Sequence, residues 1–236
     1  MAKDVIVALD FASGAQVFEF LDLFGKEKPF VKIGMELFYA EGPSVVKEIK
    51  ARGHKIFLDL KLHDIPNTVK KSMRVLSSLD VDMCNLHAAG TRAMMTAALE
   101  GLTREDGSRP LLIAVTQLTS TDQTALTREI LIDRPVDEVV MSYAKNAADA
   151  GLDGVVCSPL EAGKVHEKCG DRFLTVTPGV RFAGGEVGDQ KRVTTPLKAR
   201  ELGSDYIVVG RPITAAEDPV KAYERCRRQF LLGYDD

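Results

Sequence analysis

At 236 residues and 45% hydrophobic, the chain has material for one sizeable core and too little for two ordinary domains with a linker. Lys+Arg 31 against Asp+Glu 34 gives a formal net charge of -3, which argues against coating nucleic acid or an anionic membrane. Four cysteines without a C-x-x-C pair fit neither a zinc site nor a disulfide scaffold, so a reducing cytoplasm is the expected location.

Residues 1–3 run straight into the apolar stretch 5–9, which is too short for a signal segment or a membrane span. Short apolar, β-branched runs then recur at 4–10 (DVIVALD), 30–33, 55–61 (KIFLDLK), 82–87 (DMCNLH), 111–116 (LLIAVT), 154–157 (GVVC), 173–177 (FLTVT) and 205–210 (DYIVVG). Runs this apolar read as strands buried on both faces. Amphipathic stretches separate them. Ser13 opens the first, and residues 66–79 place Val69, Met73 and Leu76 on one stripe. After Pro135, the positions Val136, Val139, Val140, Tyr143, Ala144 and Ala147 follow helical spacing until Gly151. Asp218-Pro219 starts the last helix. Eight strand-helix units of roughly 30 residues each predict an α/β chain forming a single-domain (β/α)8 TIM barrel across residues 1–236. An open doubly wound sheet is the alternative.

Two connections, 118–134 and 178–196, exceed a tight loop, and both follow strand C-terminal ends, where a barrel carries its site. They read as lids or ligand clamps. The glycines Gly184, Gly185 and Gly188 in the second suit a loop that closes over a ligand.

The most informative stretch is FLDLKLHDIPNT, residues 57–68. Alternation along a strand puts Asp59 and Lys61 on one face and Leu58, Leu60 and Leu62 on the other. Burying such a pair is costly unless the charges compensate or act. A structural ion pair is the plain alternative. Asp64 adds a second carboxylate just before Pro66, and a lysine between two carboxylates stays protonated and suits general-acid work. Asp10 and Lys32 end the first two strands and extend the array of alternating charge.

This constellation resembles the orotidine 5'-monophosphate decarboxylase family, whose D-x-K-x-x-D core is matched by Asp59, Lys61 and Asp64. VALD ending at Asp10, VKIG around Lys32, TPGVR at 177–181 and IVVGRP at 207–212 extend the resemblance over most of the chain. It implies conversion of orotidine 5'-monophosphate to uridine 5'-monophosphate and CO2, the last step of de novo pyrimidine nucleotide synthesis. No cofactor or metal is implied.

By that resemblance Lys61 protonates C6, Asp59 adjoins the departing carboxylate, and Asp10 and Lys32 hold the ribose hydroxyls. Asp64 and Thr68 reach into the partner's site of a homodimer. Arg181 and Gln190 contact the ligand, Pro178 shapes the start of their loop, and Thr119 hydrogen-bonds the pyrimidine, with Ser120 as substitute. Gly210 and Arg211 offer backbone N–H groups and a guanidinium fork to a phosphate; a turn with a solvated arginine is the plain alternative.

His63 reads as structural, His54 and His166 as solvent-facing, and His87 as a strand-end residue without metal-ligand spacing. The competing functions are a magnesium-dependent sugar-phosphate decarboxylase or synthase of the same superfamily, which places an acid where this chain has Lys32, and a non-catalytic nucleotide-binding barrel.

Overall fold

The computed structural model describes residues 3–184 and 194–234. Strands form at all eight apolar runs: β1 (Asp4–Ala8), β2 (Phe30–Ile33), β3 (Ile56–Leu62), β4 (Met83–His87), β5 (Leu111–Val115), β6 (Gly154–Val156), β7 (Leu174–Thr177) and β8 (Tyr206–Val209). Each pairs in parallel with the next, and β8 pairs with β1 through Val5↔Ile207 and Val7↔Val209, closing the barrel. The open-sheet alternative is thereby excluded.

The strands lack polar alternation because both faces are buried. Ile6, Ala8, Phe30, Phe57, Met83, Ile113, Val176 and Val208 fill the interior. Val5, Val7, Val31, Ile33, Leu58, Leu86 and Leu112 face outward beneath the helices. The interior is a packed core up to the level of Ala8, Phe57 and Val208, and the barrel opens above it, at the C-terminal ends.

The helices begin where local chemistry dictates. Ser13 accepts from Gln16 N to cap Gly14–Asp22, Pro66 opens Pro66–Ser77, Val136–Asp149 follows Pro135, and Asp218 caps Pro219–Arg227. The connection 118–134, expected to be a loop, contains the helix Gln123–Arg128, capped by Asp122. Gln123 fastens it by donating to Arg134 O (2.9 Å) and accepting from Val136 N (3.0 Å). Six residues in a polar stretch are too few to show a helical period. The other long connection closes at its base, where Val180 bridges Thr194 and Arg181 N donates to Thr194 O (2.9 Å).

Two histidines differ from expectation. His54 is buried, with Nδ1 3.0 Å from Pro29 O; desolvation lowers its pKa and favours the neutral ring. His166 lies mostly inside, Nε2 3.0 Å from Asp205 Oδ2. Both plug the lower rim, where long-range contacts rather than local sequence period decide exposure. Among the described residues no helix is long and apolar enough to cross a membrane.

Candidate active site

The top of β3 departs from regular pairing. Leu58 is opposite Cys84 and Leu62 opposite Leu86, so β3 spends four residues where β4 spends two. Lys61 takes φ 52° within this bulge, a left-handed conformation unusual for lysine. Asp59 and Lys61 nevertheless share the interior side, as alternation predicts, and Leu60 is buried in the outer core.

Lys61 Nζ donates to Asp59 Oδ1 at 2.7 Å, while Asp59 Oδ2 lies 3.5 Å from Lys32 Nζ, which in turn donates to Asp10 Oδ1 at 3.2 Å. The result is an unbroken relay Asp10–Lys32–Asp59–Lys61 across β1, β2 and β3. Desolvation opposes ionisation of Asp59, but the charges of Lys32 and Lys61 and hydrogen bonds from Lys61 and Asn85 outweigh it and hold the carboxyl below its ordinary range. Gly34 leaves room for the relay: a Cβ there would stand 3.2 Å from Lys32 Nζ.

The expectation that Lys61 sits between Asp59 and Asp64 is corrected within one chain. Asp64 is exposed, and its Oδ1 accepts from Ile65 N at 2.7 Å. The relay's second carboxylate is Asp10, reached through Lys32. Asp64 lies beyond the strand end, where the chain turns outward to the helix opened by Pro66, so spacing alone misplaces it. Thr68, the third residue of that helix, is exposed as well.

Two adjoining cavities open above the core. The inner one, about 250 Å³, is lined by Lys32, Asp59, Lys61, Thr119, Ser120 and Pro178 among apolar strand residues. The outer one, about 660 Å³, is lined by Asp10, Lys32, Pro178, Arg181, Gly210 and Arg211. Lys32, Pro178 and Val208 border both. The structure thus brings together nine expected residues (Asp10, Lys32, Asp59, Lys61, Thr119, Pro178, Arg181, Gly210 and Arg211) and leaves Asp64 and Thr68 on an exposed flank. Gln190, Gly185 and Gly188 lie outside the described residues.

Gly210 caps the short helix Arg211–Thr214, which turns straight off β8 and brings the arginine to the outer cavity. Arg181 Nη1 donates to Val180 O at 2.9 Å at the neck of the 178–196 connection. The half-buried His87 faces the His63 ring, with centroids 5.7 Å apart. Burial, then the neighbouring His63 and Lys61, lower its pKa, so the neutral ring is favoured. Among the described residues no group of three or more His, Cys, Asp and Glu is placed to hold a metal.

Two polar residues escaped the sequence reading. Gln117 lines the inner cavity, and Asn85, 1% exposed, donates from Nδ2 to Asp59 Oδ1 at 2.7 Å. The signal for Asn85 was its place two residues from both Met83 and His87, an amide on the interior face of an apolar strand.

A closed parallel barrel with paired lysines and aspartates at its strand ends and arginines beside a second cavity defines an enzyme of the (β/α)8 class with an electrostatically built anion site. Residues 3–226 match the model of the orotidine 5'-phosphate decarboxylase / HUMPS family. Orotidine 5'-phosphate decarboxylases of Bacillus cytotoxicus and Bacillus mycoides are each 58% identical over 233 residues, covering 98% of this chain and 98% of theirs. The crystal structure of orotidine 5'-phosphate decarboxylase from Lactobacillus acidophilus superimposes with a TM-score of 0.87 at 46% identity, covering 97% of this chain and 99% of that one. An uncharacterized conserved protein from Geobacillus kaustophilus gives 0.86 at 51% identity, covering 96% and 99%. The chain belongs to the orotidine 5'-phosphate decarboxylase family.

Proposed function

We propose that this chain decarboxylates orotidine 5'-monophosphate to uridine 5'-monophosphate, with Lys61 as the proton donor. The observation that carries the reading is the relay Asp10–Lys32–Asp59–Lys61 facing a cavity that continues into an arginine-lined one. An orotate ring fits the first and a phosphate the second. The decarboxylase relatives at 58% identity support the same substrate.

The C6–carboxylate bond breaks heterolytically, CO2 leaves, and the electron pair stays on C6. The Lys61 ammonium transfers a proton to that carbon and recovers one from solvent. A fixed ammonium is favoured more as charge develops on carbon than before, and it needs no reorganisation. Asp59 holds Lys61 from one side and adjoins the leaving carboxylate. Asp10 and Lys32 hold the ribose hydroxyls, Thr119 the pyrimidine, and Gly210 and Arg211 the phosphate, with Arg181 and Gln190 as further ligand contacts and Pro178 shaping the approach. Exposed Asp64 and Thr68, beside Ile65 at 67% exposure, support a homodimer in which that flank completes the partner's site. Cys84, Cys157, Cys169 and Cys226, none of them in a disulfide, support a cytoplasmic location.

The competing reading is a magnesium-dependent sugar-phosphate decarboxylase or synthase of the same superfamily, but a lysine at position 32 repels a divalent cation. Incubation with orotidine 5'-monophosphate and EDTA, followed by loss of orotate absorbance, tests the reading. Turnover without added metal is expected; no turnover, or a strict need for magnesium, overturns it.

A further inference from the structure

We propose that Asn85 is a positioning residue for this reaction, its side-chain amide locking the Asp59 carboxylate and the Lys61 backbone together; the inference rests on the decarboxylase reading. An amide inside the barrel, 1% exposed and in register with Ile113, is costly unless both its ends are satisfied. Both ends are spent on β3, two residues apart. Nδ2 donates to Asp59 Oδ1 at 2.7 Å, and Oδ1 accepts from Lys61 N at 2.8 Å. A carboxylate only accepts and a backbone N–H only donates, so the orientation of the amide is set by its partners.

The bulge explains why a side chain is needed here. Between Leu58↔Cys84 and Leu62↔Leu86 the backbones of β3 and β4 lose register, and the Lys61 N–H finds an Asn85 side-chain oxygen instead of a strand carbonyl. A left-handed conformation is strained for a non-glycine residue, so Lys61 stays there only while its surroundings compensate. Asp59 Oδ1 receives Asn85 and the Lys61 ammonium at once, which fixes where the acidic proton sits. Without the amide, the carboxylate can rotate and the lysine backbone can relax, while the outer cavity keeps its own residues.

The test compares the parent with Asn85→Ala and Asn85→Asp. Asn85→Ala should lower kcat about 100-fold, the scale of a small misplacement of reacting groups, with KM and uridine 5'-monophosphate binding within a few-fold of the parent. Asn85→Asp has the same shape and, when protonated, the same donor and acceptor; when ionised it repels Asp59. The charged groups facing this position are Asp59 and Lys61 from β3, with Lys32 of β2 behind Asp59. His87 lies two residues along on β4, and β5 contributes only apolar Ile113 and Val115. Its kcat should therefore recover towards the parent as pH falls and drop as pH rises, along a limb that lies below the alkaline loss expected of the parent when Lys61 itself deprotonates.

If Asn85→Ala fails to fold, the profile of Asn85→Asp decides, and a profile parallel to the parent's overturns the proposal. Equal losses in kcat and nucleotide binding, the mark of a merely structural residue, overturn it too. A parent without turnover overturns the decarboxylase reading and this inference with it. An active parent matched by both variants overturns this inference alone.

Discussion

The two ends of the barrel use the same residue types for opposite purposes. At the N-terminal end, Asp82, Asp153 and Asp205 precede β4, β6 and β8, and each accepts a backbone N–H from the preceding strand: Ile56 N at 2.8 Å, Leu112 N at 2.7 Å and Thr175 N at 2.9 Å. Each also meets a basic side chain: Lys50 at 2.8 Å, the two-pronged guanidinium of Arg109, and His166 at 3.0 Å. These pairs clamp strand to strand. At the other end, among the described residues, Asp59 accepts no backbone N–H and is held by Lys61, Asn85 and Lys32. An aspartate tied to the backbone of a neighbouring strand is committed to the fold, whereas one held by side chains over a cavity remains available to a ligand.

Substitutions at the two ends should separate activity from stability. Lys61→Ala should abolish turnover while calorimetry still detects uridine 5'-monophosphate binding and the thermal midpoint moves little. Persisting turnover would place the C-terminal relay with the structural pairs. Arg211→Ala should cost about 2–5 kcal/mol in kcat/KM if it removes a desolvated charge-assisted phosphate contact. An unchanged value removes Arg211 from the phosphate site. Asp153→Ala should behave in reverse: it strips partners from Arg109 and Leu112 N and should lower unfolding free energy by about 3 kcal/mol, with kcat/KM of the folded protein unchanged. Loss of activity without loss of stability there would dissolve the distinction between the ends.

The same contrast explains what could be read beforehand. Every strand was legible, because a strand covered on both faces announces itself as an apolar run, and Asp59 and Lys61 were legible from two-residue alternation. Asp10 and Lys32 were legible as strand-end charges, but their order in the relay was not, since it depends on how β1, β2 and β3 lie side by side. The interior placement of Asn85 follows from its spacing to Met83 and His87, but its role was hidden because it comes from a bulge in the neighbouring strand, which nothing in residues 82–87 encodes. His166 was hidden for a related reason: its partner, Asp205, is 39 residues away. The helix Gln123–Arg128 was missed because its stabilising bonds run from Gln123 to Arg134 and Val136 rather than along an apolar stripe.

The smallest expected effect concerns acid. Lys32 and Lys61 hold the Asp59 carboxyl below the ordinary value of about 4, so over the interval beneath that value the unfolded chain binds a proton at this residue that the folded chain does not. Stability contributed by Asp59 is therefore fully present above the unfolded value and is lost as pH falls through the folded one. Chemical denaturation at successive pH values should show the parent losing stability more steeply below about pH 4 than Asp59→Asn. Asp59→Asn starts from a lower plateau at neutral pH, because the two lysines then face each other without a carboxylate between them. Identical slopes would mean that Asp59 titrates as it does in the unfolded chain. The relay would then lack the charge coupling that separates it from an isolated ion pair.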